Sequence, residues 1–119
     1  MANKRSLLLY MEDILVSIQN IENYVNDITE QEFRTNQEKQ DAVIRRLEII
    51  GEAVKKIPEN IRGKYTEVPW RQISGMRDVV IHEYFGVSSP LIYKTATSDL
   101  SLLKEAIIKL IEKKSDETS

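Results

Sequence analysis

Arg77, His82 and Tyr84 place a permanent cation, the chain's only imidazole and a phenol within one short run, Met76-Arg77-Asp78-Val79-Val80-Ile81-His82-Glu83-Tyr84. Such a set suits phosphodiester chemistry. Guanidinium offers a planar, always-charged fork that matches phosphate oxygens, and imidazole gives and takes a proton near neutral pH. Asp78 is a supporting candidate that either orients Arg77 or His82 or faces solvent. Without this run the sequence would read as a helical bundle and no more.

Other chemistries find little footing. The 119 residues include no Cys, which removes disulfides, thiolate metal ligands and a cysteine nucleophile, and fits a reducing compartment. His82 with Glu83, Glu52 or Asp78 makes no recognised metal spacing, and there is no H-E-x-x-H or Gly-rich phosphate loop. Ser88 and Ser89 lack the strand-turn-helix setting of a hydrolase nucleophile. Neither a metal nor another cofactor is expected.

The elements that must hold the run are helical. Leu7, Met11, Ile14, Ile18, Ile21, Val25 and Ile28 recur at intervals of four and three, which lines one face of a long helix. Thr29 followed by Glu32 has the form of a capping box for a short next turn, and residues 33–40 then read as a connection. Val43, Leu47, Ile50, Val54 and Ile57 predict a second helix ending at Pro58. Gly51 inside it costs about 1 kcal/mol relative to Ala, so its missing side chain points to close helix contact. Residues 58–68 predict a loop with one helical turn. Pro69 suits the first position of a third helix, which sets Trp70, Ile73, Arg77, Val80 and Tyr84 near one face until Gly86 ends it. Ser89-Pro90 opens a fourth, with Ala96, Leu100, Leu103, Ile107 and Leu110 on its apolar face. The expectation is an all-α, antiparallel four-helix-bundle-like domain over residues 1–114, with a frayed tail over 115–119.

Charge and hydropathy bound the partners. Hydrophobic residues make up 41% of the chain and charged residues 30%, a globular composition. A net charge of −2 argues against a general nucleic-acid coat. The distribution is more telling: residues 45–77 hold Arg45, Arg46, Lys55, Lys56, Arg62, Lys64, Arg71 and Arg77 against four acids, between two acidic flanks. A basic middle could hold a short piece of RNA, or could simply be mixed solvated helix faces. Ile44, Ile49, Ile92, Ile108 and Ile111 widen the apolar faces beyond one seam, which suggests a homodimer. Glu12 and Asp13 interrupt any signal-like run after Lys4 and Arg5, and no apolar stretch approaches the ~20 residues that span a bilayer, so a cytoplasmic location is expected.

Helical spacing raises a difficulty for the motif itself. Residues 77 and 84 return to nearly the same face, whereas 82 lies about 140° from 77. Either the helix unwinds around His82, or a second copy of the chain supplies one group. The bland alternative makes His82 a helix-terminal cation, pairs Arg77 with Glu48 or Glu52, and leaves Tyr84 in the core.

The pattern Arg77-x4-His82-x-Tyr84 resembles the signature of the HepT-like family of HEPN ribonuclease toxins. The resemblance extends to Ile50-Gly51-Glu52-Ala53, to Pro69-Trp70-Arg71-Gln72-Ile73, to Gly75-Met76-Arg77 and to Tyr84-Phe85-Gly86-Val87, and covers roughly residues 5–112 in unbroken order. It implies a metal-independent endoribonuclease acting as a homodimer, the toxin of a type VII toxin-antitoxin pair. Its catalytic residues would be Arg77, His82 and Tyr84. It further implies a minimal nucleotidyltransferase antitoxin that transfers AMP to Tyr84. The alternative is a HEPN module that binds nucleotides or the nucleotidyltransferase without turnover.

Overall fold

The computed structural model describes the backbone over residues 4–82 and 89–118, and side chains over residues 6–76 and 90–113. All of the described elements are helical. Helix α1 spans Lys4–Val25, and its predicted stripe is the core: Met11, Ile14, Ile18 and Ile21 are at most 1% exposed. Ile28, beyond the helix end, packs against that core while partly exposed. Lys39 closes the end of α1 by donating from Nζ to the Tyr24 carbonyl at 2.8 Å, a cation where the helix dipole favours one.

Helix α2, Glu30–Thr35, starts at the predicted capping box. The Glu32 amide donates to Thr29 Oγ1 and the Thr29 amide donates to Glu32 Oε1, each at 3.1 Å. The connection expected over residues 33–40 is not one. Only Asn36 separates α2 from α3, Gln37–Lys55, and its Oδ1 accepts from the Lys39 amide at 3.0 Å as an N-cap. Two interactions explain the difference. Phe33 is fully buried and packs on the Tyr93 ring, with centroids 5.6 Å apart. Gln40 Nε2 donates to the Phe33 and Arg34 carbonyls at 2.9 Å, meeting acceptors that the end of α2 leaves open.

Helix α3 buries Val43, Leu47, Ile50 and Val54, as the spacing predicts. The expected single turn follows as α4, Glu59–Arg62, and then α5, Trp70–His82. The predicted fourth helix is three pieces: α6, Ser89–Lys94, a π-helical turn, Thr95–Asp99, and α7, Leu100–Thr118. The Leu100 amide reaches the Thr95 carbonyl, five residues back, which defines that turn. Helix α1 packs on α3 and α7, α3 packs on α5, and α2 packs on α6. The described residues therefore form four long helical segments around one core.

The surplus isoleucines divide. Ile44 and Ile92 belong to the chain's own core at 8% and 1% exposure, whereas Ile108 is 38% exposed. On α1, Leu9 and Val16 lie two turns apart and are 53% and 58% exposed. No described helix is long and apolar enough to cross a membrane.

The crossing of α3 and α5 positions the motif. A Cβ built on Gly51 would lie 3.4 Å from the Ile73 carbonyl oxygen and 3.5 Å from that of Ser74. A methyl fits there at van der Waals contact; a branched side chain does not. Gly51→Ala should leave urea stability unchanged or raise it by up to about 1 kcal/mol through helix propensity. Gly51→Leu should lower it by about 1–3 kcal/mol by forcing α5 outward.

Candidate active site

Helix α5 is anchored at its start. Trp70 Nε1 donates to the Tyr65 carbonyl at 3.0 Å, and the Trp70 amide donates to Val68 at 2.8 Å. The Pro69 carbonyl accepts from the Ile73 amide at 3.0 Å. Proline thus stands immediately before the helix rather than at its first position, where its missing N–H is equally harmless. One turn on, Ile73 and Met76 are 1% and 3% exposed and fix which face of α5 meets the core.

Arg77, Asp78 and His82 occupy the second half of this helix. Their side chains, and all of Tyr84, lie outside the described residues. The backbone still sets their register. Position 77 follows Ile73 by one turn on the face seated against α3, while position 82 is about 140° around from 77. Helix α5 is α-helical through His82, so the backbone makes no unwinding turn before that residue. Position 78 lies one turn before 82 and only about 40° away around the helix.

The surroundings divide by charge. Helices α3 and α5 are neighbours, so the basic middle of the sequence is gathered on two adjacent helices and the α4 turn between them. Arg45, Lys55, Lys56, Lys64 and Arg71 are exposed there. Glu48 and Glu52, the carboxylates that the alternative reading pairs with Arg77, line a cavity of about 490 Å³ between α1 and α3. Lys55 Nζ lies 3.8 Å from Glu52 Oε1. Among the described residues no group of three His, Cys, Asp or Glu side chains is placed to hold a metal ion.

A second cavity, of about 310 Å³, adjoins the motif. Its α5 wall is Gln72, Gly75 and Met76, the residue before Arg77, and Leu91 and Thr95 stand opposite. Arg71, Lys94 and Asp99 supply its charges. Nothing in the spacing of residues marks this cavity, because its second wall depends on the π turn, which leaves the four-three apolar spacing intact.

An all-α bundle with Arg-x4-His near the end of a core-seated helix is the class these observations define. The family model described as Ribonuclease HepT-like matches residues 14–110, and the chain belongs to that family. It is 44% identical over 107 residues to "Probable ribonuclease HepT" of Thermococcus cleftensis, covering 90% of this chain and 97% of that one. A protein of Methanocaldococcus jannaschii named as a "Putative RNase" is 44% identical over 114 residues, with 93% and 98% covered. Another from that organism, named "Gamma-glutamylcyclotransferase and putative RNase", is 45% identical over 109 residues, and this chain spans 49% of its length. No solved structure gives a significant match.

The anchor of α5 is open to test. Trp70→Phe removes the bond to Tyr65 while keeping most of the ring, and should lower stability in urea by about 1 kcal/mol with an unchanged denaturant slope.

Proposed function

We infer that this protein is a metal-independent endoribonuclease, with Arg77 and His82 as its central catalytic residues. The observation that carries the reading is the Arg77-x4-His82-x-Tyr84 sequence, with Arg77 and His82 on a core-seated helix, in a chain of the Ribonuclease HepT-like family. Arg77 holds the scissile phosphate and stabilises the charge added in the transition state. His82 takes the proton of the RNA 2′-hydroxyl or protonates the leaving oxygen, and Asp78 orients the imidazole. Attack by the 2′-hydroxyl leaves a cyclic phosphate and makes DNA resistant. His82→Ala should lower the cleavage rate about 10²- to 10⁴-fold without changing the circular dichroism spectrum. Equal cleavage of a fully 2′-deoxy strand would reject the mechanism.

The 140° offset along an unbroken helix supports a site shared between two copies, Arg77 from one and His82 from the other. The exposed Leu9 and Val16 on α1 and Ile108 on α7 offer apolar area for such a pairing. In a twofold dimer, a mixture of Arg77→Ala and His82→Ala chains then rebuilds one intact site in each mixed dimer. After subunit exchange the mixture should recover about a quarter of wild-type activity, since about half the dimers are mixed and each has one good site of two. No recovery would place both groups on one chain.

Tyr84 is the regulatory position in this reading. A nucleotidyltransferase antitoxin transfers AMP from ATP to its phenol, the phenolic oxygen displacing pyrophosphate from the α-phosphorus and losing its proton, which adds bulk and negative charge beside Arg77 and repels RNA. Incubation with such a partner and ATP should add one adenylyl group to the peptide carrying Tyr84 and abolish cleavage. Partner binding with no cleavage by any form of the chain would assign the alternative, a binding module.

A further inference from the structure

We propose that the cavity between α5 and the π turn is a nucleobase pocket, which takes one unpaired base of the RNA beside the phosphate held at Arg77. The proposal rests on the ribonuclease reading for its ligand and on independent geometry for the site. A partly open space of about 310 Å³ lies between Met76 and Leu91, room for a single planar heterocycle with its sugar outside. Gly75 forms part of the wall, and among the described residues nothing lies within 4 Å of where its Cβ would be. Met76 is 3% exposed whereas Leu91 is 37% exposed, so one apolar side chain closes the floor and another stands open to a ring face.

Thr95 marks the polar end. It is only 1% exposed, and among the described residues its Oγ1 has no hydrogen-bond partner. Two neighbouring hydroxyls behave differently: Thr97 Oγ1 donates to the Tyr93 carbonyl at 2.8 Å and, in α7, Ser101 Oγ donates to the Thr97 carbonyl at 3.3 Å. Those are the usual bonds back along a helix. A buried hydroxyl left without one is uncommon, and it arises where the backbone departs from the α-helix. One χ1 step turns the hydroxyl and the methyl about the cavity wall. The hydroxyl can both donate and accept, as can the amide of Gln72, and together they suit the edge of a base. Arg71 and Lys94 are exposed beside the cavity and suit the flanking phosphates, while Asp99 accepts from an exocyclic amine. Met76 precedes Arg77 in the chain, with Cα atoms about 3.8 Å apart and about 100° between them around the helix, so a base seated here belongs to a nucleotide near the cleaved bond, reached around the helix from the α3 face.

The test uses the full chain and short single strands, 2′-O-methylated throughout to remove the attacking hydroxyl. A set of strands with one abasic residue stepped along the sequence is titrated against wild type, Gly75→Leu and Thr95→Val. Loss of the base at one position should weaken wild-type binding about fivefold to a hundredfold. Gly75→Leu fills the cavity and should bind the intact strand as weakly as wild type binds that abasic one, with no further loss at any position. Thr95→Val keeps the shape and removes the hydroxyl, so it retains the abasic penalty but changes the preference among the four bases at that position. Binding by wild type that ignores every abasic position, or a wild-type response in both variants, overturns the pocket; so does an absence of binding. Parallel incubation with the all-ribose strand separates the two readings. Cleavage with no abasic penalty leaves the ribonuclease without this pocket, and an abasic penalty without cleavage leaves the pocket without the ribonuclease.

Discussion

The close approach of α5 to α3 at Gly51 is the constraint on which the site depends. Ordinary side chains at that crossing would hold the helix axes apart, whereas here the backbone of Ile73 and Ser74 comes within van der Waals reach of a methyl. An α-helix is stiff over so short a span, turning about 100° and rising about 1.5 Å per residue. Once Trp70, Ile73 and Met76 are seated, the backbone positions of Arg77, Asp78 and His82 follow. The backbone register of positions 77–82 is therefore imposed by the apolar packing that precedes them.

This explains how much could be read without coordinates. The stripes on α1 and α3 were legible because every member faces one continuous core, and burial at 3.6-residue periodicity leaves its mark in spacing alone. The capping box was legible for a similar reason, since both of its bonds join residues three apart. Residues 33–40 were not. Their helical state depends on Phe33 meeting Tyr93, and no local pattern records a contact between segments so far apart. Pro69 was displaced by one residue because the first turn is defined by its carbonyl, which local composition does not distinguish from its ring.

The motif and the cavity beside it differ in the same way. Arg77, His82 and Tyr84 are conspicuous as residue types, and the angular separation of 77 from 82 is a consequence of their spacing once the helix is known to persist. Thr95 carries no such signal, being one hydroxyl among several in Thr95-Ala96-Thr97-Ser98. Only the fold sets it opposite Gly75 and Met76. Surface charge is intermediate: the basic middle was visible as composition, but its confinement to neighbouring helices was not. Lys104 and Glu22 illustrate the modest role of such charges elsewhere, joining α7 to α1 at 3.0 Å while both remain partly exposed, a setting in which an ion pair contributes little stability.

The π turn gives the C-terminal segment a phase offset. Closing a bond across five residues rather than four accommodates one residue more than regular coiling would. A chain lacking any single member of Thr95–Asp99 could still coil without interruption, yet α6 would then be rotated by about 100° and shifted by about 1.5 Å against α7. Ile92 would leave the core and Tyr93 would lose its place on Phe33. In this stretch the number of residues is constrained as tightly as their identity, so relatives are expected to exchange side chains here far more readily than they gain or lose a position.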